Sequence, residues 1–178
     1  MATNRRGGTT ERQRVRVTVA GSGRVNVDTG FPVVDRLLSL LAEYAGFDLI
    51  VVLAPGESSA DVVEAAGTLG GALSKPLRAR SRRGYGSAVL PVDEALAHVV
   101  LEASERPLLA SNVDLSDTRV GGLGTDLVTD LLRRLAESAG ITLHVRLIAG
   151  DDEQHVLEAM FKALGVALGQ ACRLRPRR

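Results

Sequence analysis

The strongest constraint on this chain is that one passage of its sequence occurs twice. Residues 45–56, AGFDLIVVLAPG, are echoed by residues 139–150, AGITLHVRLIAG. At shifts of 94 and 95 residues the echo continues in both directions, over 34–43 with 128–137 and over 70–73 with 165–168. Solenoids stack three or more short repeats, so a single long period indicates a duplicated half-domain instead. We expect any functional site to lie where the two halves meet.

Composition places the chain among ordinary globular proteins. Its 178 residues are 45% hydrophobic and 24% charged, which suits one domain or two small halves that share a core. A net charge of +1 argues against a nucleic-acid partner. The single cysteine, Cys172, excludes an internal disulfide, and we find neither a signal peptide nor an apolar run that would span a membrane. The sequence therefore predicts a cytoplasmic protein without a membrane partner.

Basic residues form two local clusters despite the low net charge. The usual explanation for such a cluster is a solvated loop or tail, and the alternative is a site for a small anionic or phosphorylated ligand. The clusters comprise Lys75, Arg78, Arg80, Arg82 and Arg83, and then Arg173, Arg175, Arg177 and Arg178.

Hydrophobic periodicity predicts the elements of the first half. Alternation over 14–19 indicates a strand, Gly21-Ser22-Gly23 a turn, and 24–28 the hairpin partner of that strand. A helix over 33–43 with Gly46 as its C-cap, a buried strand over 47–53 and a second helix over 60–73 complete this half.

The second half repeats the order of strands before helices, with predicted strands at 86–91, 95–103, 107–110 and 141–148 and helices at 126–138 and 153–172. We therefore expect an α+β fold built from an internally duplicated half-domain, a sheet plus paired helices repeated twice. The expected divisions are a flexible segment over 1–12, a first repeat with a basic linker over 13–84, a second repeat over 85–172 and a basic tail over 173–178.

Several motifs occur in a specific order along the chain. They are TGF at 29–31 with DRLL at 35–38, GFDL at 46–49, YGSAVLPVDEAL at 85–96, SERP at 104–107, TLHV at 142–145 and QHVLEAMFKAL at 154–164. From about residue 9 to residue 168 the chain resembles the imidazoleglycerol-phosphate dehydratase family.

The resemblance implies both a fold and a reaction. That family has a duplicated half-domain and dehydrates imidazoleglycerol phosphate in histidine biosynthesis. Its members use a manganese pair held by imidazole and carboxylate groups from neighbouring subunits, and they form trimers that assemble into a 24-subunit shell. The resemblance therefore implies a homotrimer here, with a 24-subunit assembly as the larger form.

Most positions that match the family's metal ligands carry other side chains here. Arg36, Tyr44 and the segment 59–63 stand where the family has histidines and a glutamate. Arginine does not lose its proton to coordinate a metal, although a guanidinium at position 36 would stand in for a missing cation.

Three matching positions in the second half keep a metal-binding side chain: His144, His155 and Glu158. His155 and Glu158 are i and i+3 on a helix, so they share a face. One interpretation is purely structural: His144 is a strand residue that makes an ordinary hydrogen bond, and His155 and Glu158 are an exposed pair on a helix. The other is a residual single-metal site of the 2-His-1-carboxylate type.

Substrate-handling positions are mixed. By resemblance, Glu11 matches the family's acid/base glutamate, Arg106 keeps a phosphate contact, and Arg83 lies next to the position of a second one. Asp93 and Glu94 also match the family motif, and we expect them to serve the fold as much as the functional site.

These substitutions predict a catalytically inactive paralogue that lacks the binuclear manganese site, needs no cofactor, and has a binding, regulatory or assembly role rather than an enzymatic one. The alternative is an active imidazoleglycerol-phosphate dehydratase, a carbon–oxygen lyase, with an altered and reduced metal site around Glu11, His144, His155 and Glu158 that would use manganese.

Overall fold

The first half of the molecule is a three-stranded sheet with two helices. The computed structural model describes residues 13–114, 119–124 and 126–176. In order, the elements are β1 (Arg14–Thr18), β2 (Val25–Asp28), α1 (Pro32–Ala45), β3 (Asp48–Val52) and α2 (Ser59–Arg78). The strand order is β1-β3-β2, with β3 antiparallel to β1 and parallel to β2.

The second half is a four-stranded sheet with two helices and a short ribbon. Its elements are β4 (Tyr85–Val92), β5 (Ala95–Ala103), β6 (Leu108–Ser111), β7 (Arg119–Val120), β8 (Leu123–Gly124), α3 (Asp126–Ala139), β9 (Ile141–Ala149) and α4 (Glu153–Ala171). The sheet order is β4-β5-β9-β6, and β7 pairs with β8 apart from it.

The repeat in the sequence is also a repeat in topology. In β5-β9-β6 the central strand is antiparallel to the first strand and parallel to the third, as in β1-β3-β2. Helices α1 and α3 each have 14 residues. Gly46 and Gly140 follow them with φ of 70° and 68°, a left-handed conformation that glycine adopts without strain.

The two halves meet helix on helix. Each sheet packs against helices of its own half, while α1 packs on α4 and α2 packs on α3. The side chains between these layers form one core, in which Phe47 and Phe161 are the largest fully buried residues. The predicted α+β class is confirmed. Within the described residues, no helix has the length and apolar character to cross a membrane.

Two local predictions are wrong. β1 and β2 are not hairpin partners, because β3 lies between them and pairs with both. Helix α1 carries the chain back so that β3 lies beside β2 and parallel to it. The other edge of β3 then remains free to pair with β1. Helix α2 also extends to Arg78, into the segment predicted to be a linker, because the buried Leu77 continues the apolar face of Leu69 and Leu73.

Candidate functional site

An ion pair joins the two halves at one end of the α1–α4 contact. The Nη2 atom of Arg36 lies 3.2 Å from Oε2 of Glu158, and its Nε lies 3.5 Å from Oε1. Gln154, one turn earlier on α4, donates to Oε1 at 3.2 Å. Residues 36 and 158 are 122 apart in sequence, so the packing of α1 on α4 brings them together.

Glu158 is a buried carboxylate that remains charged. The Glu158 side chain is only 12% exposed, whereas the Arg36 side chain is 58% exposed. Burial by itself would raise the pKa of Glu158, but hydrogen bonds from Arg36 and Gln154 and the positive charge of Arg36 outweigh it, so the pKa is lowered. Beside the pair lies a small cavity of about 170 Å³, lined by Val33, Leu37, Val120 and Gly121 among others.

His155 is held between carboxylates at the start of α4. Its Nδ1 atom lies 2.8 Å from Oε2 of Glu94, and its Nε2 atom lies 3.3 Å from Oδ2 of Asp93. Asp152 caps the helix, accepting from the His155 backbone N–H at 3.0 Å, and its own N–H donates to Oε1 of Glu94 at 3.1 Å. The β4–β5 turn and the first turn of α4 are thereby fixed to each other.

The contacts among Asp93, Glu94, Asp152 and His155 shift the pKa values of His155 and Glu94. The hydrogen bond from His155 lowers the pKa of Glu94 to about 2. The hydrogen bond to Glu94 raises the pKa of His155 above its usual 6.5, with further support from the charges of Asp152, Glu94 and Asp93. Asp93 and Glu94 therefore favour the protonated form of the His155 imidazole.

His144 lies elsewhere, on the outward face of the second sheet. It is in the middle of β9, opposite Val100 of β5 and Ala110 of β6. A strand rises about 3.3 Å per residue, so His144 is roughly 15 Å along β9 from the strand end near His155. Within one chain, His144 is therefore not brought together with His155 and Glu158.

A cavity of about 430 Å³ opens beside His144. Arg83, Tyr85, Ser87, Glu102 and Thr142 are among its lining residues. The guanidinium of Arg83 lies over the Tyr85 ring at 4.6 Å from its centroid. In this cavity the imidazole of His144 and the guanidinium of Arg83 therefore line the same pocket of one chain.

A neighbouring cavity of about 570 Å³ is strongly basic. Its lining includes the five arginines Arg78, Arg80, Arg82, Arg83 and Arg175. Several of them bind backbone carbonyls instead of carboxylates: Arg78 donates to Ser104, Arg82 to Cys172, and Arg175 to Arg82 and Arg83. In the described part of the chain, none of the five forms an ion pair.

The remaining predicted site residues lie as follows. Arg106 is exposed on the turn after β5, where its N–H donates to Ser104 Oγ at 3.0 Å. Glu11 lies outside the described residues. Near the first-repeat position 59–63, Asp61 accepts hydrogen bonds from Ser58 at the start of α2, and the next turn's Glu64 pairs with Arg134 at 3.3 Å.

The donor set of one chain does not fit a manganese pair. Across residues 13–114, 119–124 and 126–176, no group of three or more His, Cys, Asp or Glu side chains is arranged to hold a metal ion. Glu158 faces a guanidinium, and both ring nitrogens of His155 face carboxylates. Sequence reasoning missed the partners of His155 because Glu94 is 61 residues away and no local pattern connects them.

Comparison with known proteins gives consistent matches. The family model for imidazoleglycerol-phosphate dehydratase matches residues 29–168. The chain is 42% identical to the imidazoleglycerol-phosphate dehydratase of Desulforudis audaxviator over 93% of this chain and 86% of the relative. It is 44% identical to that of Moorella thermoacetica over 92% of this chain and 86% of the relative.

Solved structures agree with these relatives. The imidazoleglycerol-phosphate dehydratase of Staphylococcus aureus superposes with a TM-score of 0.84 at 28% identity, covering 94% of this chain and 97% of that one. The enzyme of Pyrococcus furiosus gives a TM-score of 0.79 at 27% identity, covering 96% and 94%.

These matches correct the prediction of an inactive, non-enzymatic paralogue, which is wrong. The prediction depended on the side chains at a few ligand positions, whereas the similarity to proteins named as dehydratases extends over more than nine-tenths of the chain. The better-supported assignment is the alternative, an active carbon–oxygen lyase of histidine biosynthesis.

Proposed function

Because the chain belongs to the imidazoleglycerol-phosphate dehydratase family, we propose that it catalyses the dehydration of imidazoleglycerol phosphate to imidazoleacetol phosphate. The observation that carries the proposal is the 42–44% identity to dehydratases over more than nine-tenths of the chain. The buried, free Cys172 agrees with a cytoplasmic location, since it needs no oxidising compartment.

The basic cavity supports binding of the substrate phosphate. Its five arginines outnumber the two glutamates of its lining, Glu102 and Glu105, and form no ion pair within the described residues. Guanidinium groups bind phosphate oxygens in pairs. We assign the phosphate to Arg83, which lines both this cavity and the one beside His144, with Arg106 as a second contact from the adjacent turn.

The reaction needs one group to take a proton from carbon and another to protonate the departing hydroxyl. Groups that transfer protons near neutral pH are imidazoles and carboxylates. We propose His144 for one of these roles, because it shares its pocket with Arg83, and Glu11, by resemblance, for the other. Within one chain, His155 and Glu158 lie apart from this pocket, each in ion pairs on α4.

The family resemblance implies manganese, but the described residues of one chain do not form a site for a manganese pair. We therefore assign no step to a metal. The proposed roles rest on the chain's own cations, imidazoles and carboxylates.

Self-association into a homotrimer, and from it a 24-subunit particle, is part of the proposal. The outward face of the second sheet supports it, because this face exposes large apolar side chains that a monomer would leave in water. They are Tyr85, Val89, Val100, Leu108 and Ile148. Light scattering measures the particle, and a monomer at micromolar concentration would contradict this part of the proposal.

Turnover by the purified protein tests the function. Imidazoleglycerol phosphate would be supplied with and without manganese, and imidazoleacetol phosphate measured over time. We expect steady turnover by the wild type, a drop of about 10²-fold or more in His144→Gln, and near-normal turnover in His98→Gln. His98 is the matched control: it is on the neighbouring strand β5, where it contacts Ser87 at 3.0 Å, and it does not line the His144 cavity. Absence of turnover under both conditions in a folded wild type would contradict the proposal.

A further inference from the structure

We infer that Arg36 is the resident cation of Glu158 and excludes a divalent metal from this carboxylate. Both carboxylate oxygens are already engaged. Oε2 accepts from Nη2 of Arg36, while Oε1 accepts from Nε of Arg36 and from Nε2 of Gln154. The negative charge of Glu158 at the α1–α4 junction is therefore neutralised by the chain's own Arg36. This inference does not depend on whether the protein catalyses the proposed reaction.

Burial is the reason that Glu158 needs a cation at all. A carboxylate on a side chain that is only 12% exposed loses most of its hydration, and this is costly unless a positive charge and hydrogen bonds replace the water. A guanidinium meets that need permanently, because it stays protonated at every physiological pH.

Among the described residues of one chain, the surroundings offer a divalent ion no second ligand. Of those that line the cavity of about 170 Å³ beside the pair, Glu158 is the single carboxylate, and no histidine or cysteine is among them. An ion placed there would meet one occupied carboxylate and the positive charge of Arg36. His155, three residues earlier on α4, is held away by Asp93 and Glu94.

The equivalent junction, where α2 packs on α3, also carries arginine–carboxylate pairs, but these are exposed. At a shift of 94, Arg36 corresponds to Asp130, and at a shift of 95, Glu158 corresponds to Val63. Asp130 is paired with Arg133 at 2.8 Å, and the neighbouring Glu64 with Arg134 at 3.3 Å. Arginines thus lie beside acids at both helix junctions, and Glu158 is the buried one of these acids.

Manganese titration of the purified wild type and of Arg36→Gln tests the inference, with thermal unfolding and metal content per chain as readouts. We expect neither manganese nor EDTA to move the wild-type midpoint by more than about 1 °C. Arg36→Gln frees the carboxylate for weak, single-ligand binding, so millimolar manganese raises its midpoint by about 2 to 4 °C. The double variant Arg36→Gln/Glu158→Gln loses this response.

Two results would overturn the inference. One is manganese bound by the wild type and lost in Glu158→Gln, which would make Glu158 a ligand despite Arg36. The other is an Arg36→Gln variant that folds and gains no manganese response. Arg36→Lys keeps a positive charge and behaves like the wild type if charge causes the exclusion. Whether the wild type binds manganese is decided by its metal content with and without EDTA, even where a variant fails to fold.

Discussion

The backbone carbonyl of Leu41 lies where a Cβ atom on Gly165 would be, so α1 and α4 touch backbone to backbone. The same contact recurs in the other helix pair, where a Cβ on Gly70 would lie 2.6 Å from the carbonyl oxygen of Leu135. Positions 41 and 135, like 70 and 165, are equivalent in the repeat.

Alanine at Gly70 or Gly165 is expected to destabilise the fold. The added methyl group forces the paired helices apart, at a cost of about 1–3 kcal/mol that exceeds the gain in helix propensity. Gly71 is the matched control on the same helix, because a Cβ there meets nothing within 4 Å. Gly71→Ala should raise the free energy of unfolding by about 0.5–1 kcal/mol. Urea unfolding of the three variants checks this, and equal losses at Gly70 and Gly71 would contradict it.

Removing Arg36 is expected to destabilise the chain by about 1–2 kcal/mol. Arg36→Ala leaves a buried carboxylate without its cation, but the Arg36 side chain is 58% exposed, so solvent screens part of the loss. Arg133→Ala removes an exposed pair at i, i+3 and should change stability by less than about 0.5 kcal/mol. Denaturant unfolding of both variants measures the difference, and similar small effects would show that the Glu158 pair contributes little.

Stability should depend on pH through His155 and Glu94. The pKa of His155 is raised from 6.5, so its contribution is complete below about pH 6.5 and is lost as the pH rises through the raised value. The pKa of Glu94 is lowered from 4.5 to about 2, so its contribution is complete above about pH 4.5 and is lost as the pH falls toward 2.

The pair is therefore at full strength between about pH 4.5 and 6.5. His155→Gln should flatten both flanks of the stability profile, whereas His98→Gln should leave them unchanged. Unfolding free energies measured from pH 4 to pH 9 test this over the accessible range. A wild-type profile that matches that of His155→Gln would rule out the pair as its cause.

Arg83 is expected to govern phosphate affinity. Arg83→Gln removes a charged donor from the cavity it shares with His144, which should weaken binding of the phosphorylated substrate about 10- to 100-fold. Arg14→Gln, on exposed β1, removes the same charge away from that cavity and should change affinity little. KM or direct binding of inorganic phosphate measures this, and equal effects of both substitutions would indicate that only net charge matters.

Local patterns predicted most elements because periodicity reports which face of a segment is buried. The helix over 126–138 and the strand over 95–103 agree with α3 and β5 within a residue. Pairing is not local, and so the position of β3 between β1 and β2 was not predicted. The predicted end of the second helix at residue 73 was too early, because the buried Leu77 continues the apolar face of α2.

The site was only partly predictable for the same reason. Motif order identified the family. The expected position of the site at the junction of the halves stays a prediction, and the proposed His144 pocket lies instead on the outward face of the second sheet. Arg36 and Glu158 are 122 residues apart, and His155 and Glu94 are 61 apart, so neither partnership leaves a trace in local spacing. The wrong prediction of inactivity came from weighing a few ligand positions above the similarity that extends over more than nine-tenths of the chain.

The way the helices pair has a consequence for the origin of the fold. Within the repeat, α1 is equivalent to α3 and α2 to α4, so the contacts α1–α4 and α2–α3 are one contact made twice with the partners exchanged. That exchange is the signature of an isologous interface between identical subunits. The chain has the architecture of a twofold dimer of half-domains fused into one polypeptide, and fusion has let each copy of a position take a different residue.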